Sequence, residues 1–134
     1  MALTGWIVDN SVAQRLGTTA VADKLAALPG RLCYCPIGEL ERLYSARSAK
    51  DYERLRRALA EGLTRVDAPP DVLDRALTLQ RDLAHHHGLW HRIPIPDLVI
   101  AETAIHHELG VAHVDGDYER IAQVRQQLAT RRLA

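Results

Sequence analysis

The stretch IPDLVIAETAIHHELGVAHVDGDYERIA, residues 95–122, decides the predicted fold. Its apolar first part predicts a helix that Asp97 opens and Gly110 closes. VAHV, residues 111–114, then predicts a strand, DGD a turn, and YERIAQVRQQLA, residues 118–129, a last helix. A strand between two helices is typical of α/β domains, in which helices cover both faces of a parallel sheet.

The same alternation of strands and helices runs through the rest of the chain. Strands are predicted in WIV, LCYC and TRV, with helices between and after them. Asp71 is the expected N-cap of the helix that leads to a His-rich stretch, and the C-terminal RRLA is expected to fray. The apolar faces of the helices are predicted to contain Val21, Leu25 and Leu28; Ile37, Leu40, Leu43 and Tyr44; Tyr52, Leu55 and Leu59; and Val72, Leu73, Ala76, Leu77, Leu79 and Leu83. We therefore predict an α/β fold with a central parallel sheet flanked by helices.

Length and composition limit the class of protein. The 134 residues are predicted to form one domain, 1–134, and an apolar fraction of 47% argues against disorder. No apolar run approaches the roughly 18 residues of a membrane span, and the N-terminus lacks a signal-peptide pattern, so a cytoplasmic location is expected.

Cys33 and Cys35 are expected to be buried thiols, because a bridge between residues two apart would be strained. Zinc binding by this pair would need two further ligands.

The charge balance is neutral, with 17 basic and 17 acidic residues, which by itself argues against nucleic-acid binding. The distribution matters more, because five carboxylates gathered in one pocket would leave 12 acids against 17 bases elsewhere. Fifteen of these bases are arginine, which is well suited to paired contacts with phosphate. The composition is therefore compatible with a phosphate-bearing substrate.

Acidic residues recur where predicted strands end or the following helices begin. They are Asp9, Glu39 and Glu41, Asp97, and Asp115 with Asp117. Sites in open parallel sheets form outside the carboxyl ends of the strands, so these side chains are expected at one edge. Each acid alone fits a turn, a cap or a solvated charge, but several unpaired carboxylates together repel one another. A hard cation such as Mg²⁺ or Mn²⁺ would relieve the repulsion and would support hydrolysis of a phosphodiester.

Three segments carry a resemblance to a known family: WIVDNS, PIGELERLYSAR and the stretch 95–122. In this order and spacing they resemble the PIN-domain ribonucleases, and more narrowly the VapC toxins of bacterial type II toxin–antitoxin systems, over nearly the whole chain. Asn10 departs from the family's usual Asp-Thr-Ser motif. The resemblance implies a three-layer PIN-like domain and metal-dependent hydrolysis of RNA, with no histidine or serine nucleophile.

The resemblance also implies roles for individual residues. The expected catalytic residues are Asp9, Glu41, Asp97 and Asp115. The expected ligands of Mg²⁺, or of Mn²⁺, are Asp9, Asp97, Asp115 and, directly or through water, Asp117. Glu39 is the rival of Glu41, because the two lie two residues apart in one predicted helix. Ser11 would hydrogen-bond inside the site and hold a ligand or water.

The implied partners are an RNA substrate, a second copy of the chain in a homodimer, and a cognate VapB-type antitoxin. Antitoxins of this kind insert a tail near the acidic site, often with a basic residue among the carboxylates. Neither the RNA that is cleaved nor the number of metal ions, one or two, follows from the sequence.

Other features have alternative explanations. HHHGLWH, residues 85–91, lies at a predicted helix end, where histidines suit the helix dipole. A rim that contacts RNA, with Trp90 as a stacking surface, is an alternative, and it is favoured over zinc binding. A metal-dependent phosphatase would need a second acid after the first strand, and VDNS has none. A non-catalytic binding module, in which the acids are only caps and turns, is the other alternative.

Overall fold

A parallel sheet forms the centre of the computed structural model. The structure describes residues 3–134, and the first two residues of the predicted domain 1–134 lie outside the described residues. The strands in the described part are β1 (Gly5–Val8), β2 (Arg31–Tyr34), β3 (Thr64–Arg65), β4 (Gly110–His113) and β5 (Thr130–Arg132). All neighbouring pairs are parallel, in the order β3-β2-β1-β4-β5. The chain therefore builds outward from β1, first on one side and then on the other, as the predicted α/β class requires.

Helices connect the strands. They are α1 (Asn10–Ala13), α2 (Thr19–Ala26), α3 (Pro36–Tyr44), α4 (Ala49–Gly62), α5 (Val72–His86), α6 (Ile95–His106) and α7 (Asp117–Val124), with a 3₁₀ turn at Trp90–Arg92. Within residues 3–134, no helix combines the length and the apolar character needed to cross a bilayer.

The sheet is buried on both faces, which gives the predicted three layers. Trp6 and Val8 point to one face, where they join the core formed with α1 and α2. Ile7 points to the other face and joins the larger core formed with α5, α6 and α7. This alternation follows from the two-residue period of a strand, and it explains why β1 is apolar throughout. Cys33 and Cys35 are buried free thiols in the larger core, as predicted.

The C-terminus differs from the prediction. The last helix ends at Val124, and Thr130–Arg132 forms the edge strand β5 beside β4. Leu133, within the segment expected to fray, is 2% exposed and packs in the smaller core. The prediction of fraying was wrong. The polar residues of β5 show no apolar pattern from which a strand could be predicted, and the buried side chain of Leu133 anchors the C-terminus.

The bounds of α6 also differ from the prediction. The helix begins at Ile95, and Asp97 lies in its first turn instead of at its start. It ends at His106, and the chain reverses through Glu108, which has a positive φ of 57°. Gly110 does not close the helix, because it is the first residue of β4 and lies against the ring of Trp6.

Several positions assigned to apolar helix faces are exposed, contrary to the prediction. They are Leu40, Tyr44, Tyr52, Leu73 and Leu77. The helices α3, α4 and α5 each bury only a narrow stripe, which includes Leu43 in α3, Leu55 in α4 and Leu79 in α5. Asp71 stands at the N-cap of α5, but its carboxylate pairs with Arg75 in place of a backbone N–H.

Replacing Gly110 with alanine is expected to lower the free energy of unfolding by about 2 kcal/mol. The added methyl group would overlap the buried ring of Trp6, which cannot move without disturbing the core. Gly62→Ala is the matched control, because nothing lies within 4 Å of the methyl group there. Urea denaturation of both variants measures the difference, and equal stabilities would contradict the close approach of Gly110 and Trp6.

Candidate metal centre

Asp9 stands at the point where β1 ends, and it is 5% exposed. It is the N-cap of α1: its Oδ2 accepts hydrogen bonds from the backbone N–H of Ser11 (3.0 Å) and from the Ser11 hydroxyl (2.5 Å). Its Oδ1 accepts a hydrogen bond from the hydroxyl of Tyr118 (2.7 Å). Ser11 in turn accepts from the backbone N–H of Val114 (3.3 Å), which ties this turn to the end of β4. The carboxylate of Asp9 is therefore held in a fixed orientation from two sides.

Asp97 is brought to the same place by the first turn of α6, and it is 7% exposed. Its Oδ1 lies 3.3 Å from the hydroxyl of Tyr118, so this hydroxyl bridges Asp9 and Asp97. Burial, followed by repulsion from Asp9, Asp115 and other nearby acids, raises the pKa of Asp97 to about 8. Without a cation, the site therefore favours a neutral Asp97.

Glu41 joins the two aspartates, whereas Glu39 does not. Asp9, Glu41 and Asp97 each place a carboxylate oxygen within 4.8 Å of the others. Burial, together with the charges of Asp9 and Asp115, raises the pKa of Glu41, and its Oε1 has no hydrogen-bond partner among the described residues. Glu39 lies 3.5 Å from Arg65 on another side of α3.

Asp115 and Asp117 complete a second group of oxygens that shares Asp97. Asp115 follows β4 closely, and its Oδ1 accepts from the backbone N–H of Asp117 (2.9 Å) at the start of α7. Burial is the main cause of a raised pKa at Asp115. Asp117 is half-buried and pairs with Arg120 (3.2 Å). The structure thus brings all five expected acidic residues to the carboxyl edge of the sheet.

The donor set fits a hard divalent cation. All the grouped oxygens are carboxylate oxygens, and neither group contains a histidine or cysteine among the described residues. The unpartnered oxygen of Glu41 and the raised pKa of Asp97 both indicate carboxylates without a compensating charge. One bound cation would supply this charge.

Comparison with known proteins agrees with this geometry. The model of the PIN domain matches residues 7–124. The chain belongs to the PIN-domain family. PIN domains are metal-dependent nucleases, so the acidic edge is the expected place for a divalent metal.

Relatives of this PIN-domain chain include two curated proteins of Mycobacterium tuberculosis. It is 53% identical to Ribonuclease VapC17, over 92% of this chain and 91% of that protein. It is 38% identical to Ribonuclease VapC21, again over 92% and 91%. Among solved structures, it resembles VapBC2 of Rickettsia felis bound to a DNA fragment from their promoter, with a TM-score of 0.78 and 14% identity over 97% of this chain and 99% of that one. The structural likeness confirms the predicted fold.

Two buried residues of this PIN domain were not identified from the sequence. Tyr118 is fully buried, and the only signal for it was an aromatic residue directly after Asp117. His113 at the end of β4 is also fully buried, and its ring centroid lies 5.3 Å from that of Tyr118. Burial lowers the pKa of His113, so this ring is neutral beside the acidic groups.

Replacing Tyr118 with phenylalanine is expected to weaken Mn²⁺ binding about tenfold, because groups that orient metal ligands have effects of this size. The change removes only the hydroxyl that bridges Asp9 and Asp97, and leaves the buried ring in place. Tyr44→Phe, the same change at a 92% exposed tyrosine, is the control. Titration calorimetry with Mn²⁺ compares the variants, and an unchanged affinity in Tyr118→Phe would exclude this orienting role.

Proposed function

We propose that this chain is a metal-dependent endoribonuclease and the toxin component of a type II toxin–antitoxin system, acting as one PIN-like domain. The observation that carries the proposal is the group formed by Asp9, Glu41 and Asp97, whose oxygens lie within 4.8 Å of one another at the carboxyl edge of the sheet. The similarity to the ribonucleases VapC17 and VapC21 supports the reaction, and the likeness to solved VapBC complexes supports the toxin–antitoxin role.

The roles of the residues follow from their positions. Asp9, Asp97 and Asp115 would hold Mg²⁺, with Asp117 beside them and Mn²⁺ as a substitute. A bound divalent cation supplies Lewis acidity toward water and toward the oxygens of a phosphodiester. Ser11 fixes the carboxylate of Asp9 through two hydrogen bonds.

Glu41 is the proposed proton acceptor. Its Oε1 has a free lone pair within the described residues, and its raised pKa brings the carboxylate closer to the range useful for proton transfer near neutral pH. It sits beside Asp9 and Asp97, where the reacting water and phosphate would meet. Neither a serine nor a histidine nucleophile is required.

The proposal extends to the partners and the location. Coulomb attraction by the acidic edge suits a basic side chain of a VapB-type antitoxin inserted among the carboxylates. The exposed apolar side chains of α3, α4 and α5 provide surface for that antitoxin and for a second copy in a homodimer. The proposed location is the cytoplasm, where the RNA substrate would be met.

The test is cleavage of RNA by the purified protein in Mg²⁺, Mn²⁺ or EDTA, followed by sequencing of the new ends. The proposal predicts defined cuts that need a divalent cation and disappear in Asp9→Asn. Asp23→Asn, an exposed aspartate on α2, is the matched control and should cleave normally. Cleavage that persists in both EDTA and Asp9→Asn would contradict the proposal.

A further inference from the structure

An aromatic and cationic surface lies beside the acidic edge, and we call Trp90, His86, His87 and Arg120 the Trp90 surface. Trp90 lies in the 3₁₀ turn between α5 and α6. The ring centroids of His86 and His87 lie 5.4 Å and 4.9 Å from that of Trp90. The guanidinium of Arg120 lies 5.9 Å from the same ring. Three π-bearing or cationic groups thus surround one indole.

The Trp90 surface is accessible. His86, His87 and Arg120 are exposed, and Trp90 is half-buried with its inner part packed against the larger core. Tryptophan is rarely fully buried, so the nature of the groups around the exposed part of Trp90 is more informative than its exposure. Here the neighbours on the outer side are imidazoles and a guanidinium, which leave part of the indole available to a ligand.

A single side chain joins this surface to the acidic edge. Arg120 lies over Trp90 and also pairs with Asp117 (3.2 Å), whose carboxylate belongs to the group with Asp97 and Asp115. Trp90 also precedes Asp97 by seven residues, in the segment that leads into α6. A polynucleotide whose phosphate lies at the carboxylates would therefore reach the Trp90 surface with an adjacent nucleotide.

We propose that the Trp90 surface binds single-stranded RNA next to the phosphate that is cleaved, with a base stacked on Trp90 and a phosphate contacted by Arg120. The inference rests on the proposed function and specifies how the substrate is held. Unpaired RNA bases stack on aromatic side chains and on arginine, and arginine also neutralises phosphate. A base within a duplex is already stacked on its neighbours, so the surface selects unpaired nucleotides.

The chemistry favours RNA over a protein segment. A peptide helix would need an apolar groove, whereas the partners of Trp90 on this surface are two histidines and an arginine. Leu89, the residue before Trp90, is exposed, but one leucine does not form a groove. Leu40 lies on α3, and Leu73 and Leu77 lie in the first part of α5, far along that helix from His86.

The experiment measures binding of short fluorescent single-stranded RNA by anisotropy, with cleavage blocked by Asp97→Asn. On this background, Trp90→Ala is expected to weaken binding about tenfold or more, and Trp90→Phe much less, because a phenyl ring still stacks. His87→Ala, a change at an exposed side chain, is expected to weaken binding severalfold and avoids any effect of Trp90 on folding. The matched control is Arg131→Ala, because Arg131 lies 5.6 Å from the ring of Trp6 in a similar pair on the α2 side of the sheet.

A second measurement separates stacking from charge. Arg120→Ala is expected to reduce the slope of log affinity against log salt by about 0.7, the value for one phosphate of a single strand. Trp90→Ala should leave this slope unchanged. In proteins that retain Asp97, the same Trp90→Ala change is expected to raise KM for RNA more than it lowers kcat.

The outcomes distinguish this inference from the proposed function. Suppose that the chain with Asp97 cleaves RNA in Mg²⁺, but the variants at Trp90 and His87 bind RNA as tightly as Arg131→Ala does. The role of the Trp90 surface is then overturned, and the proposed nuclease activity stands. If the chain with Asp97 neither binds nor cleaves RNA, both fail. If double-stranded RNA binds as tightly as single-stranded RNA, the stacking proposal is wrong.

Discussion

Asp97→Asn is expected to abolish RNA cleavage and at the same time to stabilise the metal-free protein. Asp97 belongs to both groups of carboxylates, so its loss should lower metal-dependent cleavage by more than about 100-fold, beyond the effect of residues that only orient ligands. Its carboxylate is also buried among like charges, and asparagine has nearly the same shape without the charge. A residue that only stabilised the fold would not be expected to show opposite effects on activity and stability.

The stabilisation should depend on pH in a defined direction. The pKa of Asp97 is about 8 in the folded chain against 3.8 for an ordinary aspartate, so the folded state binds more protons between these values. The contribution of Asp97 to stability is therefore greatest below about pH 4 and is lost as the pH rises toward 8. Each pKa unit corresponds to about 1.4 kcal/mol, so the total difference is a few kcal/mol.

Urea denaturation in EDTA at pH 5, 6.5 and 8 measures this effect. The difference in unfolding free energy between Asp97→Asn and the unchanged chain should grow in favour of the variant as the pH rises. Asp74→Asn is the matched control, because Asp74 also lies in the first turn of a helix but is exposed. A difference that stays constant with pH would show that Asp97 is not under the repulsion described here.

Arg125→Ala is expected to lower the free energy of unfolding by about 3 kcal/mol, because it leaves a buried carboxylate unpaired. Arg125, at the end of α7, lies 3.3 Å from Glu102 in α6 and 2.8 Å from Asp82 in α5. The side chain of Glu102 is 7% exposed. These two ion pairs therefore join the three helices that cover the larger core, and they hold α7, which carries Asp117 and Tyr118.

A double-mutant cycle with Glu102→Gln separates the ion pair from packing. Burial already raises the pKa of Glu102 although Arg125 opposes the shift, so removing the arginine should raise this pKa further. The loss in Arg125→Ala should therefore be larger at pH 8 than at pH 5, where Glu102 is more easily protonated. In the Arg125→Ala background, Glu102→Gln should recover much of the lost free energy of unfolding. If Arg125→Ala lowers the stability equally with and without Glu102, the ion pair between the two residues is not the cause of the loss.

The sequence predicted the sheet and the acidic edge because both depend on short-range patterns. The apolar run before Asp9 and the strand before Asp115 indicated strand ends, and the carboxyl ends of parallel strands meet at one edge. These rules do not need the exact packing of helices. This is why residues far apart in the chain were expected together.

The remaining features depend on packing that the sequence pattern does not specify. Glu39 and Glu41 lie about 200° apart around α3, and the contacts of that helix decide which one faces Asp9. The role of Tyr118 depends on how α7 is rotated over the sheet. Thr130–Arg132 has no apolar pattern, so its pairing with β4 was missed.

The most direct test is anomalous diffraction from crystals of the protein grown with Mn²⁺. We predict a peak about 2.1 Å from carboxylate oxygens of Asp9 and Asp97, the distance typical of Mg²⁺ and similar ions. The peak should be absent in Asp97→Asn crystals grown in the same way. If the protein cleaves RNA with Mn²⁺ but the ion lies away from Asp9 and Asp97, these aspartates are not the metal ligands of the active site.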